Sequence, residues 1–250
     1  VLLGVHGRGV KIALCTMFHP SVAAGRKPSN NAVGNCMKYR QLGRTDIDVS
    51  LICPGSMNWG SNNTEAEGHE QMDYAFDQGV NFIDTAEMYA VPPSEKTYGR
   101  SEEVIGTWLK ARGNRDKAII ATKVAGPDER LTYIRGGSPR LNKHHIDQAM
   151  DASLKRLQTD YVDLYQLHWP SHDVPIDETM RAMDKLVTDG KVRHIGVSNF
   201  SVKLLKAAEA ALGEGRIVEN QIKFSLLDHE FADEVIPYCA ERGMTVFAYS

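Results

Sequence analysis

From Met37 onward the chain alternates two patterns. Short apolar runs that end on polar residues, at 81–84, 118–123, 161–168, 194–197, 218–221 and 245–249, have the look of strands buried on both faces. Between them, over 64–78, 101–111, 142–157, 176–188, 202–212 and 232–241, apolar residues recur at helical spacing. With Leu51-Ile52-Cys53 ahead of the first helix, the pattern predicts seven strands separated by six helices. Strict alternation through short connections predicts a parallel sheet with helices outside. No Gly-rich dinucleotide fingerprint interrupts it, which favours an α/β fold of the (β/α)8 TIM-barrel type over a doubly wound sheet. Residues 38–50, with Gly43 and Asp46 as turn residues, predict an N-terminal β-hairpin. Asn142 is an expected helix N-cap, and Asp177 or a neighbour is expected to cap the helix after Pro175.

The two ends break the pattern. Gly9-Val10-Lys11-Ile12-Ala13-Leu14-Cys15 resembles the apolar core of a signal peptide, but Lys11 interrupts it and no small-residue cleavage site follows. Residues 1–36 are therefore expected to be a disordered or non-native extension, with Met37 as the native start and 37–250 as the barrel domain. Tyr249-Ser250 falls at the end of the seventh expected strand. The barrel is thus expected to be incomplete, with about seven strands. The facing edges of its first and last strands would be exposed, and a chain truncated in this way is expected to be aggregation-prone and nearly inactive.

Composition narrows the classes further. In 250 residues, 42% hydrophobic and 24% charged, there is enough material for one large core. A net charge of -3 with scattered Lys and Arg offers no basic stripe for nucleic acid and no polybasic patch for a membrane surface. No apolar run approaches the roughly 20 residues of a membrane span. Cys15, Cys36, Cys53 and Cys239 are far apart and lack metal-ligand spacing, which points to a reduced, cytoplasmic setting.

Three consecutive strands end on residues that carry chemistry: Asp84, with Tyr89 in the loop that follows, then Lys123, then His168. Each has an ordinary reading alone: a helix cap, a snorkelling lysine, a satisfied core histidine. A barrel, however, converges its strand ends on one spot. Together they suit carbonyl reduction. A phenol ionises near pH 10 and needs a neighbouring ammonium to serve as an acid at neutral pH. Lys123 could supply that ammonium, Asp84 could keep it charged and oriented, and His168 could donate a hydrogen bond to the carbonyl oxygen.

These residues sit in motifs that resemble the aldo-keto reductase family: Asp84-Thr85-Ala86-x-x-Tyr89, the run 154–170 ending Leu167-His168-Trp169-Pro170, the run 190–200 containing Gly196-Val197-Ser198-Asn199-Phe200, and Ala248-Tyr249-Ser250. The loop 87–93 is similar to that of the bacterial Tas-like branch. The resemblance implies NADPH-dependent reduction of aldehydes or ketones, with a small carbonyl compound as substrate. It implies Tyr89, Asp84, Lys123 and His168 as the catalytic set. Ser198, Asn199 and Gln221 fall at the nicotinamide amide, Tyr249 on its ring with Ser250 beside it, and Ser56 and Met57 at its ribose. An insertion from Ala90 to Thr97 leaves a second candidate acid in Tyr98-Gly99-Arg100-Ser101-Glu102. Tyr89 keeps the short reach from the strand end, and Tyr98 is expected to pack at the start of the following helix.

Trp59 and Trp169, after the first and fourth strands, are candidate substrate walls, although either could simply pack at the rim. The long segment 125–141 leaves a strand at its carboxyl end and is expected over the mouth of the site. Two rival functions remain. A metal-dependent hydrolase would use His168 and His172, but Pro170 breaks any helix that could put both on one face. A cofactor-binding regulatory subunit of the potassium-channel β type shares the fold, and the intact catalytic set, His168 included, favours the enzyme over it.

Overall fold

The computed structural model describes residues 13–18 and 37–249. Its strands are β1 (Ala13–Phe18), β2 (Tyr39–Gln41), β3 (Asp48–Ser50), β4 (Ile52–Gly55), β5 (Phe82–Asp84), β6 (Ile119–Val124), β7 (Val162–Leu167), β8 (Val192–Ser198), β9 (Ile217–Lys223) and β10 (Thr245–Tyr249). Its α-helices are α1 (Glu65–Asp77), α2 (Arg100–Arg112), α3 (Lys143–Leu157), α4 (Ile176–Thr188), α5 (Val202–Leu212) and α6 (Val235–Glu241). Strands β4 to β10 lie side by side in chain order and run parallel, the seven strands expected of an incomplete (β/α)8 barrel.

The place of an eighth strand is taken from the other end of the chain. β1 runs antiparallel to both open edges: Thr16 is in register with Ala248 of β10 on one side and with Ile52 of β4 on the other. The two edges expected to be exposed are therefore covered. The segment expected to be a disordered extension contains a strand, and the rest of that segment lies outside the described residues. Facing edges present rows of unsatisfied N–H and C=O groups, and any extended segment that reaches them is stabilised by filling both rows.

Local signals set the other elements. α1 starts on a capping box in which Thr64 and Glu67 satisfy each other's backbone N–H. Asn142 caps α3 as expected, accepting from the His145 N–H at 2.9 Å. Asp177 does not cap α4: Pro175 holds the N-cap position, and Asp177 pairs with Arg181 one turn along. The outward faces of the strands, with Ile83, Ile120, Tyr165 and Ile195, pack against Val104, Trp108, Ile146 and Met183 of the helices.

The lower barrel is filled differently. The β2–β3 hairpin brings Leu42 and Val49 against Phe82, Ala121, Leu164, Val218 and Phe247 at the amino-terminal end. Gly43 makes this approach possible, because its φ is 55° and a Cβ there would stand 2.4 Å from the Val218 carbonyl oxygen. Its N–H donates to Thr245 Oγ1 at 2.7 Å. With that end plugged by apolar side chains, the open end of the barrel is the carboxyl end of the strands.

Removing residues 1–18 should expose the edges of β4 and β10 together. The expected outcome is a lower melting temperature and loss of the monomer peak in size-exclusion chromatography. A shortened chain that stays monomeric and melts like the parent would show that β1 does not stabilise the barrel.

Candidate active site

Asp84 is the last residue of β5 and lies level with Ala121 of β6, so two residues on Lys123 points into the same interior. Its Nζ donates to Asp84 Oδ2 at 2.6 Å and to the Thr85 carbonyl at 2.8 Å. The lysine side chain is fully buried, and taking a lone ammonium out of water costs several kcal/mol, so the carboxylate and the carbonyl are what allow it to be there. The second carboxylate oxygen, Asp84 Oδ1, accepts from Gln166 Nε2 and Gln221 Nε2, each at 3.2 Å. Four strands, β5, β6, β7 and β9, thus converge on one ion pair.

The chain beyond Asp84 stays against β6. Thr85 N–H donates to Ala121 O at 2.9 Å and Glu87 N–H to Lys123 O at 3.1 Å, and a turn closed by Tyr89 N–H to Ala86 O at 3.0 Å brings the phenol inward. The Tyr89 ring centroid lies 5.1 Å from Lys123 Nζ. On its other side stands His168, with ring centroids 5.6 Å apart and planes crossing at 82°. His168 follows β7 and is anchored by its N–H to Val124 O at 3.1 Å. Burial, and then the charge of Lys123, hold its imidazole well below the usual histidine range, so it is neutral at neutral pH. Its Nδ1 is buried with no partner. The four residues expected to form a catalytic set therefore meet in one place.

Tyr98 is held elsewhere. Its hydroxyl donates to Glu87 Oε2 at 3.1 Å, its ring packs against Tyr133, and the Arg156 guanidinium stacks on it at 5.0 Å. Burial and the Glu87 charge push this phenol further from ionisation. It packs just before α2, as expected from its position in the sequence.

The polar residues proposed for the nicotinamide line the adjoining side. Ser198 ends β8 in register with Gln221 of β9. Asn199, at a φ of 61°, donates to Ser198 Oγ at 3.0 Å and accepts from the Tyr249 hydroxyl at 2.8 Å. Ser56, directly after β4, is tied by its N–H to Asp84 O at 3.2 Å, while its hydroxyl is buried without a partner. Met57 next to it is exposed, and Ser250 lies outside the described residues.

Residues 51–250 match the sequence model of the Aldo/keto reductase family. The chain belongs to that family. It is 37% identical over 234 residues to Protein tas of Escherichia coli, covering 86% of this chain and 68% of that protein. It is 38% identical over 222 residues to the uncharacterized oxidoreductase YrpG of Bacillus subtilis, covering 86% of this chain and 66% of that one. Among solved structures, the holo form of aldo-keto reductase AKR11C1 from Bacillus halodurans superposes with a TM-score of 0.71 at 34% identity, over 85% of this chain and 66% of that one. The chain spans about two thirds of the length of these relatives.

In this aldo-keto reductase the two tryptophans part company. Trp169 is 51% exposed at the rim, where a substrate could meet it. Trp59 is 2% exposed: it packs on Gly68 of α1 and Val104 of α2 and donates its indole N–H to Gln71 Oε1 at 2.8 Å. The expectation that it lines the substrate site is therefore corrected, because the loop after β4 turns the indole outward into the helix layer. Among the described residues no cluster of three His, Cys, Asp or Glu side chains is arranged to hold a metal, and no helix is long and apolar enough to cross a membrane.

Two features escaped the sequence reading. Glu87 is fully buried and accepts from Arg135 at 2.7 and 2.8 Å, from the Ala125 N–H at 2.6 Å and from Tyr98. Through Arg135, whose guanidinium also donates to Ala125 O at 2.7 Å, it pins the segment 125–141 to the Tyr89 loop. Leu131 and Ile134 of that segment pack on Ala86, Met88 and Tyr89, so it forms a fixed wall beside the mouth. The only signal was a carboxylate set between Ala86 and Met88 in an otherwise apolar stretch. Gln166, one of the two amides on Asp84, gave no signal beyond lying in a strand.

Arg135→Met should leave the buried Glu87 carboxylate without its counter-charge. Breaking one side of such a pair typically costs about 3 to 5 kcal/mol, which chemical denaturation would measure. A loss below about 1 kcal/mol would mean that the pair is solvated or replaced.

Proposed function

We propose that this chain is an NADPH-dependent reductase of aldehydes or ketones in which Tyr89 is the general acid. The observation that carries the reading is the buried Lys123–Asp84 pair beside the Tyr89 ring, with neutral His168 on the ring's other side. A reduced nicotinamide, when bound, would supply the hydride for the carbonyl carbon. The residues present fit such a group: the orphaned hydroxyl of Ser56 and the amide and hydroxyl groups of Ser198, Asn199 and Gln221 are hydrogen-bonding partners, and Tyr249 offers a ring.

The protein's own part is to bind the carbonyl oxygen and deliver a proton to it. Tyr89 O–H gives its proton to that oxygen, the O–H bond of the phenol breaking as the alcohol O–H forms. The phenolate that remains is stabilised by the Lys123 ammonium, whose charge Asp84 secures. His168, being neutral, donates a hydrogen bond to the oxygen without competing as the acid. General acid catalysis of this kind is worth ~10² to 10⁴ in rate. Trp169 at the rim is an apolar wall for the substrate. The preference for NADPH over NADH rests on the family resemblance, and equal affinities in a fluorescence titration would overturn it. A reducing, cytoplasmic setting is the reading that the wide spacing of the four cysteines supports, and Cys239 is buried with its thiol pushed up to about 12 by that burial.

Tyr89→Phe should lower kcat by ~10² to 10⁴ and leave cofactor binding largely intact, with NADPH oxidation against a panel of aldehydes as the assay. An active Tyr89→Phe enzyme would remove the phenol from the mechanism. Lys123→Met should displace the pH profile of kcat toward the ordinary phenol range near 10, and an unchanged profile would argue against its role.

A further inference from the structure

Beneath the Asp84–Lys123 pair lies a carboxyl that the mechanism does not use. Glu219 of β9 is fully buried inside the barrel, and neither of its oxygens has a hydrogen-bond partner. It lies level with Gly196 of β8, next to a register shift in the β8–β9 ladder. A Cβ at Gly196 would stand 2.4 Å from Glu219 Oε2 and 3.0 Å from Gln166 Cγ. The carboxyl and the Gln166 side chain therefore border the same space over the bare backbone of that glycine.

Gln166 has a gap of its own. Its Nε2 donates to Asp84 Oδ1, but its Oε1 is buried with no donor. Two orphaned acceptor groups bordering one buried space are unfavourable, since each leaves a hydrogen bond unmade away from water. An ionised carboxylate has only acceptors, whereas a protonated one has an O–H to give. One proton on Glu219 gives Gln166 Oε1 its donor and removes a buried charge.

We propose that Glu219 is carried as the neutral acid and is a positioning residue for the Asp84–Lys123 pair, its O–H donating to Gln166 Oε1 directly or through one water. That bond decides which way the Gln166 amide faces. Flipped, the amide would set its oxygen against Asp84 Oδ1, so the donor on Oε1 keeps the N–H on the carboxylate. The charged and titratable groups around Glu219 act consistently: burial and then Asp84 of β5 raise its carboxyl well above the usual range, Lys123 of β6 opposes them, and the Cys239 thiol of α6 is itself pushed up by burial. The positioning role deepens the reductase reading and rests on it, while the protonation state does not.

The sign of the pH effect follows from the raised carboxyl. The unfolded chain releases this proton near the ordinary glutamate range, the native chain keeps it, and the native state therefore loses stability as pH rises. His168, held neutral, works in the opposite sense only below about 6.5, its ordinary value. The window to use is pH 6.5 to 9.

The experiment compares the full-length parent with E219Q, E219L, Q166L and the E219L/Q166L double variant. The melting temperature of E219Q, which keeps a donor and cannot ionise, should gain on the parent as pH rises through that window. A difference independent of pH would overturn the neutral acid. The stability losses of E219L and Q166L should be non-additive, and additive losses would overturn the link between them. In turnover, E219L should lose about tenfold in kcat and displace the pH limb of its profile, with E219Q restoring both. An active parent whose E219L variant keeps kcat and the pH limb would sink the positioning role. A parent without any carbonyl reduction would count against the reductase reading, and the melting and double-variant arms would still judge Glu219.

Discussion

The buried ion pair of Lys123 and Asp84 is the constraint to which the rest of the site answers. An ammonium at zero exposure is tolerable only with its charge matched and its donors satisfied, and four groups do this: one carboxylate oxygen, the Thr85 carbonyl and, indirectly, the two glutamine amides that hold the other oxygen. These groups come from strands far apart in sequence, so the pair can exist only where a barrel gathers strand ends. Removing either partner would leave an uncompensated charge in the interior. The fold and the chemistry therefore depend on the same contact.

Around that centre the protein repeats the device with less exposed consequences. Glu87 with Arg135, Glu102 with Arg156, and Asp163 with Arg115 and Arg193 are all pairs with a buried carboxylate. Each ties together elements distant in sequence, and two reach a strand besides: Glu102 of α2 also accepts from Thr122 Oγ1 at 2.5 Å on β6, and Asp163 of β7 accepts from the Ile120 N–H of β6 at 2.9 Å. Directional bonds of this sort hold the long connection 125–141 and the Tyr89 loop in one arrangement, which apolar packing alone would leave less specified. In the proposed reaction, a phenol that must meet a carbonyl oxygen within hydrogen-bond reach would require such supports.

What could be read from the sequence was what depends on period and on chain direction. Asp84, Lys123 and His168 announced themselves because a polar residue closing an apolar run marks the carboxyl end of a parallel strand, and a barrel brings those ends together. Tyr89 followed from its short reach. Trp59 was misjudged because no period governs a loop, and its indole turns to the helix layer. Gln166 and Glu219 were passed over because a polar residue within a strand says nothing of whether it faces a hydrogen-bond partner inside the barrel. The pairing of β1 was invisible for another reason: it joins Thr16 to Ala248, and a contact that distant leaves no local trace in either segment.

The same ion pair also governs the charge of its titratable neighbours. His168 is kept uncharged by burial and by Lys123, and the carboxyl of Glu219 is pushed toward its neutral form by burial and by Asp84. The same ion pair thus suppresses a second positive charge on one side and a second negative charge on the other. At an effective dielectric of ~20 a unit charge about 6 Å away is worth roughly 3 kcal/mol, some two powers of ten in a neighbour's proton affinity. A protonated imidazole against the Tyr89 ring would make the phenol too willing to ionise, and an ionised Glu219 would oppose the ammonium that stabilises the phenolate. Under the proposed mechanism, with both neutral, Tyr89 responds to Lys123 and Asp84, and its strength as an acid would be set by how firmly that pair is held.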